Sequence, residues 1–309
     1  MLSRFFERYI NMLSNPLVSI IIPTHNSQKY LDIVLTSITN QTYKNIEIVI
    51  IDKHSTDRTI DIAKTHTHKV LSTTDNLIPD QYNQAVNQAS GQYLYLMEST
   101  WILEPTAIAE SILKINNDNQ AIIIHTTPDN RQGLVSGIRK LEIDTYKYSL
   151  DYSVARFLPT RLYKSIGGLK SIASGWDYDL QTRLMNNHTK IIYADAEAMD
   201  LNQPTQWRQL ITYFYQVGYN LRQYMQTPKT LLKLSPMRKN YLKYWIRFTR
   251  QPLLTIGFGF YLSVKYLAGS LGLIHSILSN LNKTLFPVPV IAKRRQIPIT
   301  INSNNPFYD

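Results

Sequence analysis

In the first 125 residues, short apolar runs alternate with stretches of helical periodicity. This alternation constrains the fold more than any other feature of the 309-residue chain. "LVSIII" (17–22), "IEIVII" (46–51), "YLYLM" (93–97) and "AIIIH" (121–125) are rich in β-branched and aromatic residues and almost unbroken in apolarity. Such runs are strands covered on both faces. Between the first two, "SQKYLDIVLTSITNQ" puts Tyr30, Leu31, Val34, Leu35 and Ile38 on one helical face, with Asn26 or Ser27 able to cap it. "STDRTIDIAK" gives a second helix with Ser55 as cap candidate, and "PDQYNQAVNQAS" a third, ended by Gly91. Repeated β-α units imply an α/β fold with a mostly parallel central sheet and helices on both faces. Its ligands would bind outside the carboxyl ends of the strands. The residues standing there are Pro23, Thr24, His25 and Asn26, then Asp52, then Glu98.

Charge divides the chain differently. Residues 1–200 hold 19 Lys and Arg against 21 Asp and Glu, while residues 201–309 hold 14 basic residues and one acid, Asp309. The C-terminal third therefore faces something anionic. Its texture also changes: "WRQLITYFYQVGYNLRQYM" is a Tyr-rich helix candidate and "RKNYLKYWIRFTRQP" is basic and aromatic. Then "LLTIGFGFYLSVKYLAGSLGLIHSILS" (253–279) is long enough to cross a bilayer core of roughly 20 apolar residues, but Lys265 and several glycines interrupt it. A span, an in-plane membrane helix and a buried soluble helix all remain open. The flank of Lys229, Lys233, Arg238, Lys239, Lys243, Arg247 and Arg250, mixed with Tyr and Trp, has the bias expected on a cytoplasmic membrane side. An anionic membrane surface met through 229–279 is the expected partner, with a solvated basic helix pair as the alternative. Residues 1–15 read as an amphipathic lead and 287–309 as an extended tail. The absence of cysteine excludes disulfides and thiolate metal sites. No glycine-rich phosphate loop is present, and no helix-turn-helix or finger pattern supports a nucleic-acid partner.

Four blocks resemble one known pattern. "VSIIIPTHNSQKYLDIVLTSITNQTYKNIEIVIIDKHSTDRT" resembles the opening of family 2 glycosyltransferases, which have the GT-A fold. "NQAVNQASGQYLYLMESTWILEP" is similar to the block leading into that family's D-x-D motif. "ARFLPTRLYKSIGGL" and "GWDYDLQTRL" resemble the acceptor-side G-G-F and E-D blocks. The resemblance spans about residues 16–200 and implies a nucleotide-diphospho-sugar transferase domain there, followed by a helical membrane-associating region at 201–286.

The resemblance also implies roles, on thinned motifs. A divalent ion, Mn²⁺ or Mg²⁺, would act as Lewis acid on the donor's diphosphate. Here the D-x-D position reads Glu98-Ser99-Thr100, and Asp200 falls where relatives place a further ligand. A simpler role for Glu98 is to cap the helix start near Glu104. Asp52 would accept from a uracil or guanine N–H, although the second acid of the family's pair is Lys53. Asn83 fits the family's R-N pair near the diphosphate, with Tyr82 in place of the arginine, and the loss of a bidentate donor is not conservative. Asp177 aligns with the general base that would take the acceptor hydroxyl's proton; it can equally serve as a helix N-cap. Trp176 replaces the preceding glutamate and could stack on a sugar, while Gly167 and Gly168 give a tight turn where a sugar could approach. Asp179 and Arg183, four apart, pair structurally. The expected function is inverting transfer from a UDP- or GDP-type donor to a lipid-linked or polysaccharide acceptor at the cytoplasmic membrane face. The alternative is an inactive relative that binds a glycan or a partner protein.

Overall fold

A computed structural model describes residues 15–129, 131, 133–150, 153–173, 175–224, 241, 243, 245–250 and 252–285. In chain order the first elements are β1 (Val18–Thr24), α1 (Leu31–Thr39), β2 (Ile46–Asp52), α2 (Thr59–His66), β3 (Lys69–Ser72), α3 (Ile78–Val86) and β4 (Tyr93–Leu96). There follow β5 (Trp101–Leu103), α4 (Ala107–Lys114), β6 (Gln120–Pro128), α5 (Leu134–Asp144), β7 (Phe157–Pro159), α6 (Thr160–Ser165), α7 (Trp176–Asn186) and β8 (Lys190–Asp200). The C-terminal helices are α8 (Trp207–Tyr224), α9 (Trp245–Thr249) and α10 (Pro252–Leu285).

The eight strands form one sheet in the order β3-β2-β1-β4-β7-β6-β8-β5. Its first four strands are parallel. β7 is antiparallel to both β4 and β6, β8 is parallel to β6, and β5 closes the edge antiparallel to β8. The sheet is thus mixed, and its sense changes at β7. Alternate strand residues feed opposite faces, as pleating requires. Ile20 and Ile22 pack under α1 and α4, whereas Ile21, Val49 and Leu96 pack under α3, α6 and α7. These side chains are fully buried, and each contributes about 1.5–3 kcal/mol of apolar burial. Continuous apolarity in the four sequence runs follows from this two-sided covering.

Several local expectations need correction. α1 begins at Leu31 without a side-chain cap, because Asn26 takes a left-handed turn and its side-chain Oδ1 accepts from the Thr56 N–H, 2.9 Å away. Ser55 does not cap α2; its hydroxyl donates to Asp52 at 2.5 Å. α3 ends at Val86, and Gly91 lies shortly before β4, so close to Ser19 that a Cβ would collide with its backbone nitrogen at 2.6 Å. Between β4 and α4 the chain forms the short strand β5. Glu98 caps nothing: its carboxylate meets Arg156. Gly175, in a left-handed turn, is the N-cap of α7, and Asp177 lies in that helix's first turn.

A second core lies outside the sheet. Val135, Ile138 and Leu141 of α5 pack with Leu210 and Phe214 of α8, Phe248 of α9, and Phe258 and Tyr261 of α10. α8 and α10 meet so closely at Gly218 and Gly272 that a methyl group on either would run into the facing backbone. Lys265, the charge inside the apolar segment, pairs at 2.6 Å with Glu142 of α5. Glu142 also accepts from the hydroxyls of Tyr146, Tyr241 and Tyr261. α10 is apolar enough over Pro252–Ser279 to cross a membrane by length and composition, with 22% of that window buried. The amphipathic lead at 1–14, the tail at 287–309, and Lys229, Lys233, Arg238 and Lys239 of the basic belt lie outside the described residues.

Candidate active site

The loops after β1 and β2 are laced together at the carboxyl edge of the sheet. Asp52 is 1% exposed. It accepts from the Thr24 hydroxyl at 2.9 Å, the Ser55 hydroxyl at 2.5 Å and the Ser55 N–H at 2.7 Å. Asn26 N–H donates to Ser55 Oγ at 2.8 Å, Ser27 N–H to Thr59 Oγ1 at 2.6 Å, and Gln28 N–H to Asp57 at 3.1 Å. Asn26 and His54 both adopt left-handed backbone, at φ 48° and 49°, which is sparsely populated for side-chain-bearing residues and marks a constrained turn. Pro23 stands next to last in β1, whose seven residues are all buried, opposite Ile51. The result is a stiff wall whose inherited polar residues fix the loops. Asp52 faces inward, towards Thr24 and Ser55.

Asn83 and Gly168 explain each other. Asn83 Oδ1 accepts from the Tyr163 hydroxyl at 2.6 Å and the Leu169 N–H at 2.9 Å, while its Nδ2 donates to the Leu169 carbonyl at 2.8 Å. Gly168 has φ +66°, and a Cβ there would stand 2.6 Å from Asn83 Oδ1. The glycine is therefore required by left-handed backbone and by the asparagine that fills its Cβ position. Asn83 ties α3 to the turn after α6.

The acidic groups converge elsewhere. Arg156, just before β7, lies beside the end of β4, where the Leu96 N–H donates to its carbonyl at 3.0 Å. Its guanidinium donates to Glu98 Oε1 at 2.9 Å and lies 3.6 Å from Asp177 Oδ2. The indole rings of Trp101 and Trp176 each stand 4.7 Å from its central carbon. Trp176 in turn rests against Tyr82, with ring centres 5.5 Å apart. Burial opposes charge on Arg156, but Glu98 and Asp177 outweigh it and hold the guanidinium ionised. Burial, with Asp200 and Asp177 nearby, pushes the Glu98 carboxyl above its ordinary value against the pull of Arg156. Asp179 pairs with Arg183 at 2.7 Å, as the spacing requires.

Sequence reading missed Arg156 and Trp101. The signal was available: Arg156 is a lone charge in "SVARFLP", among residues that are otherwise apolar or buried, and such a charge needs a partner.

As ligands for a divalent ion, Glu98 and Asp200 do not fit. Asp200 accepts from the Thr100 hydroxyl at 2.9 Å and the Asn202 N–H at 3.0 Å, and from Gln203. One Glu98 oxygen is occupied by Arg156. Among the described residues, no three His, Cys, Asp or Glu side chains converge to hold a metal. An ion that takes most of its oxygens from a donor's phosphates and water still needs one or two free carboxylates, and both of these are already engaged within the protein.

Comparison with known proteins bears on the same residues. The model of the family described as "Glycosyl transferase family 2" matches residues 19–175. An uncharacterized glycosyltransferase of Rickettsia typhi is 27% identical over 206 residues, covering 60% of this chain and 63% of that protein. A chondroitin synthase of Escherichia coli is 30% identical over 181 residues, covering 55% of this chain and 26% of that protein. The chain thus spans less than two thirds of the length of either relative. The mannosyltransferase PcManGT of Pyrobaculum calidifontis, solved with GDP-Man and Mn²⁺, superposes with a TM-score of 0.54 at 12% identity, covering 92% of this chain and 90% of that one. At that identity the likeness is one of fold.

Proposed function

The chain belongs to glycosyl transferase family 2, and on that premise we propose that it is an inverting glycosyltransferase. It moves a sugar from a UDP- or GDP-type donor to a lipid-linked or polysaccharide acceptor at a membrane surface. The observation that carries this reading is Asp177. It is a partly exposed carboxylate at the mouth of α7, 3.6 Å from Arg156 and beside the Trp176 ring. An acceptor hydroxyl above Trp176 would lose its proton to Asp177 as its oxygen bonds to the anomeric carbon. The bond from that carbon to the phosphate oxygen breaks, and its electron pair leaves with the nucleoside diphosphate. The wall built from Pro23, Thr24, Asn26 and Asp52 orients the nucleotide. Asn83 and Gly168 hold the turn on the acceptor side.

The third element is α10. Leu253, Ile256, Phe260, Leu267, Leu271 and Leu278 recur at helical spacing and are 55–80% exposed. The opposite side packs on α5 and α8, with the Lys265–Glu142 pair halfway along. A helix so bound to the folded domain is best read as lying in the interface plane, apolar face towards the acyl chains. Lys243 and Arg250 are consistent with an anionic, cytoplasmic surface.

The test is nucleotide release from a panel of UDP- and GDP-sugars with membrane acceptors, for wild type and Asp177→Asn. Turnover by the wild type, falling about a thousandfold in the variant with donor affinity unchanged, is the expected result. Turnover unaffected by the variant would overturn the assignment of the base. A second reading, an inactive glycan- or partner-binding relative, is favoured by one observation: Asp52, Asn83 and Asp200 are all engaged within the protein. Retained glycan binding with no release from any donor would establish it.

A further inference from the structure

A donor diphosphate brings several negative charges that must be met by cations as the sugar leaves. Among the described residues, Arg156 is a cation faced by both Glu98 and Asp177. Arg156 is 11% exposed in its side chain and stands just before β7, beside the end of β4. A guanidinium has five N–H donors in a planar fork suited to phosphate oxygens. One hydrogen bond from this one is found among the described residues, to Glu98. Both indole rings lie against a planar delocalised cation, which stacks on aromatic faces better than a compact ammonium does. The acids nearby do not gather around an empty point: Asp200 is turned to Thr100, Asn202 and Gln203, and Glu98 is turned to Arg156.

We infer that Arg156 is the built-in cation of this site, offsetting the charge of the donor's diphosphate so that nucleotide binding needs no divalent ion. The inference rests on the transferase reading above and gives it a specific charge-bearing residue. Glu98 then has the opposite role from a metal ligand: it competes with the phosphates for the guanidinium and holds it in place when no donor is bound.

The two roles predict opposite signs, which makes the test sharp. UDP and GDP are titrated calorimetrically into the full chain, in EDTA and in Mn²⁺, for wild type, Glu98→Gln, Arg156→Gln and Arg156→Lys. With Arg156 as the cation, wild type binds equally in EDTA and in Mn²⁺. Glu98→Gln tightens binding about fivefold by removing the competing charge. Arg156→Gln weakens it about ten- to hundredfold, and Arg156→Lys falls between. Wild-type binding that requires Mn²⁺ and is weakened by Glu98→Gln overturns the inference while leaving the transferase reading intact. So does an Arg156→Gln variant that binds normally in EDTA, or one that gains Mn²⁺-dependent binding through a released Glu98. Absence of UDP and GDP binding to wild type in both conditions overturns the inference and the transferase reading together. Glu98→Gln leaves the buried cation in place, so its sign is readable even if Arg156→Gln folds poorly.

Discussion

Glu98 and Glu142 are each paired with one long cation and each sit among aromatic rings, yet they are finished in opposite ways. Glu142 is 4% exposed and accepts from Lys265 and three tyrosine hydroxyls. Glu98 is 44% exposed, and the one hydrogen bond found to its side chain comes from Arg156. Burying a carboxylate costs several kcal/mol unless partners are in place. At Glu142 the chain itself supplies these partners, so the group fixes how α5, Tyr241 and α10 meet. At Glu98 and Arg156 hydrogen-bonding capacity is left over at the carboxyl edge of the sheet, where a ligand can use it. The same pair of charges makes a joint in one place and a site in the other.

The largest effect should come from breaking the joint. Glu142→Gln should lower stability by about 3–5 kcal/mol in urea unfolding, since it removes the negative charge that faces the buried Lys265. Replacing both partners with apolar residues, as in Glu142→Leu with Lys265→Met, should recover most of that loss. If the single and double variants were equally unstable, Glu142 would matter for packing alone.

A third buried ionisable group sets the pH range in which the two centres can be compared. His125 on β6 is 5% exposed, and burial lowers its pKa to about 4. Its stabilising effect is complete above the unfolded value near 6.5, because both states are then neutral. As pH falls from there to about 4 the unfolded chain takes up a proton that the fold refuses, and stability drops by about 3 kcal/mol. His125→Gln should flatten that part of the stability–pH curve; an unchanged curve would exclude His125 as its source.

Smaller effects should follow at the surface and at the turn. Leu267→Ser with Leu271→Ser should reduce flotation with anionic vesicles by about tenfold or more, with little change in melting temperature. A large fall in melting temperature would mean that this face is covered within the folded protein. Asn83→Ala should cost about 1–2 kcal/mol through its lost bonds to Leu169 and Tyr163. Nucleotide affinity should be unchanged; a large loss would bring Asn83 back to the diphosphate.

How much of this was legible in the sequence depends on distance along the chain. β1, β2, β4 and β6 could be read because strands covered on both faces are apolar throughout, and α1 because Leu31, Val34, Leu35 and Ile38 keep one face. Asp177 and Trp176 could be found because they sit in a compact block at the start of α7. β5 and β7, of three residues each, are too short to carry a period. Arg156 meets Glu98 only because β7 runs antiparallel to β4, a pairing across 58 positions that no local pattern encodes. Lys265 looked like a flaw in an apolar helix because its partner Glu142 lies 123 positions earlier. Local rules also misplaced the caps: Asn26 and Ser55 have the right chemistry for helix ends, but the facing loop takes their hydrogen bonds.

The most direct test sets the two glutamate centres against each other in one thermal-shift experiment. Wild type, Glu142→Gln and Arg156→Lys are melted with and without saturating UDP and GDP. Glu142→Gln is expected to melt about 10 °C lower while keeping the full nucleotide-induced shift. Arg156→Lys is expected to show a nucleotide-induced shift clearly smaller than that of wild type, in line with its weakened affinity. A reversed pattern, with the shift lost at Glu142 and kept at Arg156, would contradict the assignment of Glu98, Arg156 and Asp177 as the working centre.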